Sequence, residues 1–370
     1  MYRNTWMEIN LDAIVSNIHK TKEICKKKYI AVLKADAYGC GDIQVAKACI
    51  DSGVDMIAVS SLDEAMMLRN NHYNGKLLIL GATNIKDIPT IIQNKISIAG
   101  FSPEWAEQVS HTNCKGLLVH FAVDTGMNRL GFKDIDSLKN AFQLLVSKGC
   151  VPEGIFTHFC CTNETDNIMT NLQFHRFRRT VEALNFPFEW IHCDNSDATI
   201  FFKDDISNAC RVGISLYGIS SYTNALTKAI SLYTEVFMTK HVPSNEVIGY
   251  GATYTTKQDE IIATCPIGYA DGFIRHNQGR KVYVDGMYCE VVGRICMDQC
   301  MIRLDRDVKP GTKVEIFGPH IALEEMAAEL DTIPYEILCL ITDRVTRKYI
   351  YHNQELSEEN PRLVKSNRTA

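Results

Sequence analysis

Over roughly the first two thirds of the chain, short apolar runs alternate with longer stretches whose apolar positions recur every three or four residues. Eight runs read as candidate strands: 29–34, 55–60, 76–81, 95–100, 116–123, 152–158, 188–193 and 208–217. Between two of them, Ser137 to Lys148 carries Leu138, Ala141, Phe142, Leu145 and Val146 at helical spacing and stops at Gly149. Asp12 to Cys25 repeats Ile14, Val15 and Ile18 behind a candidate cap at Asp12. Eight strand–helix units in about 220 residues predict a (β/α)8 barrel. An open doubly wound sheet is the competing architecture, and no G-x-G-x-x-G follows the first strand to support it.

From about residue 230 the pattern changes to strand-like segments punctuated by Gly, Pro, Asn and Asp: 231–240, 246–250, 260–267, 280–284, 287–295, 299–304 and 312–317. Val282 to Tyr288 reads as a hairpin turning through Asp285-Gly286. Ile321 to Leu330 reads as one short helix. The fold class is therefore α/β, a TIM-type barrel over residues 1–228 followed by a smaller, mainly β domain over 229–370.

The bulk numbers narrow the partners. With 370 residues the chain is long enough for two domains, and its formal net charge of -5 offers no basic field for nucleic acid or an anionic membrane. Lys26–Lys28 and the group Arg176, Arg178 and Arg179 read as solvated helix faces. There are 14 cysteines and no C-x-x-C pair. Cys160-Cys161 and Cys296/Cys300 lack a second half at zinc spacing, so reduced, mostly buried thiols and no metal site are expected. No run approaches the roughly 20 apolar residues of a membrane span. No apolar segment of a secretory signal follows Met1–Trp6, and a cytoplasmic location is expected.

The chemistry-bearing residues fall at the expected C-terminal ends of barrel strands, where barrel function collects. Lys34 ends the run Tyr29–Leu33. An amine at the mouth of a buried strand is expected to be partly desolvated, which favours its nucleophilic neutral form. Tyr38 follows it, Arg129 lies just after the fifth strand, His158 ends the sixth, and His192, Asn195 and Ser196 follow the seventh. Arg211, Gly213 and Ile214 lie on or just after the eighth. A lysine, a polar ring and a small-residue phosphate cradle at one mouth describe a pyridoxal 5′-phosphate site.

Eight stretches, in order along nearly the whole chain, carry a resemblance: Leu33–Gly39, Asp124–Gly131, Thr157–Phe159, His192–Ser196, Arg211–Gly218, Gly249–Tyr254, Pro266–Gly272 and Gly293–Gln299. Together they resemble the alanine racemase family of fold-type III pyridoxal-phosphate enzymes. The resemblance implies that Lys34 holds the cofactor and acts as one of two bases, and that Tyr250 of a partner subunit is the other. It implies phosphate binding by Tyr38, Ser196, Gly213, Ile214 and Tyr335, with Arg211 facing the pyridine nitrogen and His158 linking Arg211 to Tyr250. Arg129 would sit near the ring phenolate and Met297 near the substrate carboxylate, with Tyr269 and Asp298 lining the site from the partner. The implied assembly is a homodimer with shared active sites, and the implied product D-alanine serves peptidoglycan.

A phenol titrates near pH 10, so Tyr250 needs nearby positive charge to act as a base, with His158 and Arg211 as the candidates. Three places depart from the family pattern: Ala122 stands where a lysine, often carbamylated, orients the arginine, and Asp36 and Pro334 stand where asparagine is frequent. The alternatives are a racemase preferring serine, since a merely apolar pocket rejects a hydroxyl weakly, and a non-catalytic pyridoxal-phosphate carrier, which would need no Tyr250. A decarboxylase of the same fold type would be expected to carry an acid where Arg211 stands.

Overall fold

The computed structural model describes residues 3–162 and 167–363. The outermost residues of both expected domains, 1, 2 and 364–370, lie outside them. The chain folds into two compact units, one of residues 14–37 and 42–227, the other of residues 1–13, 38–41 and 228–370.

The chain opens with β1 (Thr5–Asn10) in the second unit, and the first unit is a closed barrel. Its strands are β2 (Lys28–Val32), β3 (Met56–Val59), β4 (Leu77–Ile79), β5 (Ile96–Gly100), β6 (Leu118–Ala122), β7 (Val151–Phe156), β8 (Trp190–His192) and β9 (Ala209–Val212). Each pairs in parallel with its successor, and β9 closes onto β2. Every apolar run read as a barrel strand overlaps one, although β2 and β7 begin one residue before the runs at 29–34 and 152–158. The last is shorter than 208–217: Gly213 leaves extended geometry at φ -119°, ψ -85° and the chain turns into a 3-10 helix, Ile214–Tyr217. Ile30, Val32, Met56, Ala58, Leu78, Trp190 and Ala209 fill one part of the barrel interior, and Ala99, Ala122 and Phe156 another.

The first helix runs over Leu11–Cys25, and its cap is Asn10 rather than Asp12. The Asn10 side-chain oxygen accepts from the Ala13 N–H at 2.9 Å, which satisfies one orphan donor of the first turn. The Asp12 carboxylate instead accepts from the N–H groups of His352 and Asn353, at 3.0 and 2.9 Å. The helix expected at Ser137–Lys148 spans Ile135–Ser147 and is capped by Asp134.

The second unit is built on a ten-stranded sheet. β1 lies between Ile230–Glu235, antiparallel, and Thr346–Tyr351, parallel. The expected strand 231–240 is two strands, Ile230–Glu235 and Met238–Val242, which pair with different neighbours on either side of an exposed Phe237. The segment 246–250 is extended only at Val247–Ile248, and 287–295 only at Met287–Val292. The hairpin turns as expected, with Asp285 at φ 46° and Gly286 at φ 87°, the paired positive φ values that suit the strand twist. The helix at 321–330 is Leu323–Glu329, and a second, Pro334–Leu340, follows it. No helix among the described residues is long and apolar enough to cross a membrane.

Within this unit the segment Tyr38–Gly41 is held by two strand residues. The buried Arg347 guanidinium donates twice to the Gly39 carbonyl, at 3.0 and 2.9 Å, and also to the carbonyls of Ile341, Thr342 and Val345. The Tyr349 hydroxyl donates to the Cys40 carbonyl at 2.9 Å. Removing the guanidinium strands four buried carbonyls, each costing about 1–3 kcal/mol. Arg347→Met is therefore expected to lower stability to chemical denaturation by about 3 kcal/mol or more, and Arg347→Lys to recover little of it, because one ammonium cannot span the fork. Wild-type stability in Arg347→Met would refute the anchoring.

Candidate active site

Lys34 stands directly after β2 and Leu33, and is exposed. The expected partial desolvation is not seen: the strand ends two residues earlier, and Lys34, Ala35 and Asp36 are exposed before the chain is buried again at Ala37. The five residues after Lys34 all have positive φ: Ala35 55°, Asp36 54°, Ala37 52°, Tyr38 60° and Gly39 78°. Left-handed backbone costs about 1–2 kcal/mol per non-glycine residue, so it persists only where hydrogen bonds impose it. In the barrel unit the Ala35 N–H donates to Glu64 at 2.8 Å and the Ala37 N–H to Leu33 O at 3.0 Å. The Tyr217 hydroxyl donates to Ala37 O at 2.6 Å. The backbone carrying Lys34 is consequently fixed.

Arg211, on β9, is 4% exposed. One end of its guanidinium donates to His192 Nδ1 at 2.9 Å and His192 O at 2.8 Å. The other donates to Thr157 O at 2.7 Å, Cys193 O at 3.2 Å and His158 Nδ1 at 3.3 Å. All five acceptors are uncharged. Phe156 stacks on the His192 ring, interplanar angle 6°, and lies under the guanidinium at 5.6 Å. Burial lowers the Arg211 pKa to about 10, which leaves the cation charged at neutral pH.

From Arg211 a chain of hydrogen bonds crosses the barrel interior. His192 Nε2 is 2.9 Å from His120 Nδ1, and His120 Nε2 is 3.1 Å from Glu153 Oε2. Donor chemistry fixes its direction. A guanidinium only donates, so His192 Nδ1 accepts and its proton sits on Nε2. His120 must then accept at Nδ1 and donate from Nε2 to the carboxylate. Glu153 is also held by Lys76 at 2.6 Å and by Ser97. Burial alone would raise the Glu153 pKa; the bonds from His120, Lys76 and Ser97 outweigh it and bring the carboxyl to about 2. Gly154 makes room for the chain, since a Cβ there would lie 2.4 Å from His120 Nδ1. Sequence reading found His192 and Arg211 but not His120 or Glu153, because a polar residue inside a strand carries no local sign of what it faces.

His158, half-buried, lies beside Arg211. Burial, then the charges of Arg211, Arg129 and Lys34, lower its pKa to about 3. The expectation that His158 supplies positive charge is therefore corrected: it is neutral at physiological pH, and Arg211 is the cation of the pair. Arg129 is exposed and makes no side-chain hydrogen bond or ion pair among the described residues. Ala122 packs among Ala99, Phe156, Leu80, Phe101 and Leu130, an apolar environment in place of a charged support for Arg129.

Ser196 begins the helix Ser196–Phe201, capped by Asn195, and its Oγ accepts from the Gly213 N–H at 2.9 Å. That bond sets the hydroxyl beside the start of the Ile214–Tyr217 turn, whose first N–H groups lack intrahelical acceptors. Serine hydroxyl, orphan N–H groups and a residue without a side chain, after the seventh and eighth barrel strands, form a donor set suited to a phosphate dianion.

The remaining candidates belong to the second unit. The buried Tyr38 ring lies 5.8 Å from that of Tyr335, and burial raises its phenol above the ordinary range. Tyr250 opens a 3-10 turn, Tyr250–Ala252, flanked by Gly249 and Gly251 in left-handed geometry, and is 70% exposed. Tyr269 and Met297, also exposed, are brought together by backbone bonds: Tyr269 N–H to Cys296 O at 3.1 Å and Ala270 N–H to Met297 O at 3.0 Å. Gly268 permits this approach, since a Cβ would come within 2.4 Å of the Cys296 and Met297 carbonyl oxygens. Asp298 accepts from Arg344 at 2.5 Å. Asp271 is a fully buried carboxylate paired with Arg3 and Arg344.

Burial lowers the pKa of His120, His158 and His192 alike. Each stays neutral in the folded protein but takes up a proton near pH 6.5 once unfolded. Their contribution to stability is therefore complete above pH 6.5 and falls as the pH drops below it, by about 1.4 kcal/mol per pH unit for His158. Denaturant unfolding between pH 7.5 and 5 should show this slope, and His158→Asn should remove about one proton from it. A flat profile would mean these imidazoles are not held neutral.

Comparison with known proteins agrees over the full length. The family model "Alanine racemase, N-terminal domain" matches residues 9–221 and "Alanine racemase, C-terminal domain" matches residues 229–349. The chain is 36% identical over 377 residues to alanine racemase 1 of Bacillus subtilis, covering 98% of this chain and 97% of that protein. The crystal structure of alanine racemase from Bacillus anthracis with bound L-Ala-P superposes with a TM-score of 0.92 at 34% identity, covering 97% of this chain and 98% of that one. A histidine racemase from Leuconostoc mesenteroides shares the architecture, with a TM-score of 0.86 at 26% identity over 95% of this chain and 99% of that one. With both family domains matched in order and the relatives similar over nearly the whole chain, this chain belongs to the alanine racemase family, whose cofactor is pyridoxal 5′-phosphate.

Proposed function

We propose that this protein is a cytoplasmic pyridoxal-phosphate-dependent racemase that interconverts L- and D-alanine and supplies D-alanine for peptidoglycan. The observation that carries the reading is the buried Arg211, a cation with only neutral acceptors, on the same strand-end face as Lys34. Bound there, pyridoxal phosphate supplies an electron sink for the charge left when a proton is taken from the substrate Cα. Arg211 would face the pyridine nitrogen, and because a guanidinium does not readily give up a proton it would leave that nitrogen unprotonated and the sink weak. That restrains side reactions such as transamination while leaving proton exchange possible.

Racemisation removes a proton from one face of Cα and returns one to the other, and a single base cannot easily serve both. Lys34 is the base on one face. Tyr250, contributed by the segment 229–370 of a partner subunit, is the base on the other, which requires a homodimer with shared active sites. The exposure of Tyr250 in one chain is consistent with an outward role. Ser196, Gly213, Ile214, Tyr38 and Tyr335 hold the phosphate. Arg129, Met297, Tyr269 and Asp298 line the substrate, and the apolar surroundings of Ala122 leave Arg129 to be oriented by something other than a lysine. His158 acts as a neutral hydrogen-bonding link at Arg211 rather than as a charge.

Two substitutions and one substrate comparison test this. Lys34→Ala should abolish both activity and the borohydride-reducible visible absorbance, and an unchanged spectrum would remove Lys34 from the role. Tyr250→Phe should retain the cofactor but lose solvent proton exchange from one alanine enantiomer far more than from the other, by about 10²–10⁴-fold for a positioned acid or base. Equal loss for both would mean the two-base assignment is wrong. Side-by-side assays should show alanine turned over faster than serine, and the reverse would shift the substrate to serine.

A further inference from the structure

Away from the residues described above, Cys25 closes the helix Leu11–Cys25, and Cys210 sits on β9 one position before Arg211. Their sulfur atoms lie 3.5 Å apart. Cys210 is buried, whereas Cys25 is partly exposed and can be reached from solvent. Other thiols also approach one another: Cys265 and Cys300 face each other across paired strands, but both are buried. What sets Cys25 apart is an adjacent, immobilised cation. The Lys27 ammonium is gripped by Asp194 at 2.7 Å, Asp204 at 2.5 Å and Ser207 at 2.6 Å. Cys193, Asp194 and Asp204 lie close enough together to ligate a metal ion, but both carboxylates are already paired with this ammonium.

We propose that Cys25 and Cys210 are a redox pair, oxidised by hydroperoxides to an intramolecular disulfide that ties the end of the first helix to the last barrel strand. The partner thiol has one acceptor besides the Cys25 sulfur, the Lys28 carbonyl at 3.6 Å. Hydrogen bonding from Cys210 opposes the burial of Cys25 and, with the Lys27 N–H and ammonium, lowers the Cys25 thiol to about 7, against the raising effect of Asp194. The same bond and burial push Cys210 up. Near neutral pH the Cys25 sulfur is thus the more readily ionised of the two.

The chemistry balances as two thiols plus one hydroperoxide giving a disulfide, an alcohol and water. The Cys25 thiolate attacks the terminal peroxide oxygen; the O–O bond breaks, a sulfenic acid forms, and the alkoxide takes a proton from water. The Cys210 sulfur then attacks the Cys25 sulfur; the S–S bond forms, the S–O bond breaks, and the departing hydroxide leaves as water with the Cys210 proton. A dithiol reductant reverses the change.

The test uses the purified holoenzyme. Iodoacetamide labelling of Cys25, followed by peptide mapping across pH 5–10, should give a midpoint near about 7. At pH 7 the labelling should be roughly tenfold faster than for an ordinary thiol of pKa about 8.5. Hydrogen peroxide should produce a linked Cys25–Cys210 peptide pair about 2 Da lighter than the two thiols, restored by dithiothreitol. In Cys210→Ser, Cys25 should instead stop at a sulfenic acid that a dione reagent traps. A wild-type map without the linked pair after peroxide overturns the proposal, as does a Cys25 midpoint in the ordinary thiol range; both readings use unsubstituted protein, so a folding defect in the variant cannot obscure them.

Discussion

A guanidinium cannot shed its charge, and the barrel holds one in its interior at Arg211 with no carboxylate against it. Burying an unpaired charge is among the largest penalties a fold can carry. Here it is met by three backbone carbonyls and two imidazoles, and by polarisation passed through His192 and His120 to Glu153. The carboxylate is kept ionised by Lys76 and Ser97 as well as by His120. Because Arg211 only donates, each imidazole downstream has a single allowed tautomer. The orientation of the whole interior network is thus dictated by the one residue that cannot change its protonation.

That constraint reaches the strand-end face. With His192 committed as an acceptor and His158 held neutral, the only fixed cation in the buried cluster is Arg211 itself. In the proposed function, Arg211 would be a donor that does not protonate an aromatic nitrogen set against it, which would favour simple proton exchange over chemistry needing a strong electron sink. The left-handed turn after Lys34 adds a second rigid element: its strain is tolerable only because Glu64, Leu33 and Tyr217 each bond to it.

Much of the fold was legible locally. The barrel strands announced themselves because each is a continuous apolar run, and the Asp285-Gly286 turn because its dihedrals suit few other residues. Lys34 and His158 could be picked out because each ends such a run, and Ser196 because it follows one closely; Arg211, inside the last run, was found through the family resemblance. Other features have no local sign. β1 is recognisable as a strand only through partners more than 200 residues away, in Ile230–Glu235 and Thr346–Tyr351. Asp12 looked like a cap until its carboxylate was seen bonding to His352 and Asn353.

The sequence alone determined the alternation of strands and helices and the switch to β structure near residue 230, because these follow from side-chain periodicity and backbone preference over a few residues; the family resemblance rested instead on particular residues within its stretches. Tertiary structure decided the protonation of His158, the exposure of Lys34, the apolar surroundings of Ala122 and the path from Arg211 to Glu153. Those depend on burial and on hydrogen-bond direction between residues distant in the chain, and such properties exist only once the strands have closed into a barrel.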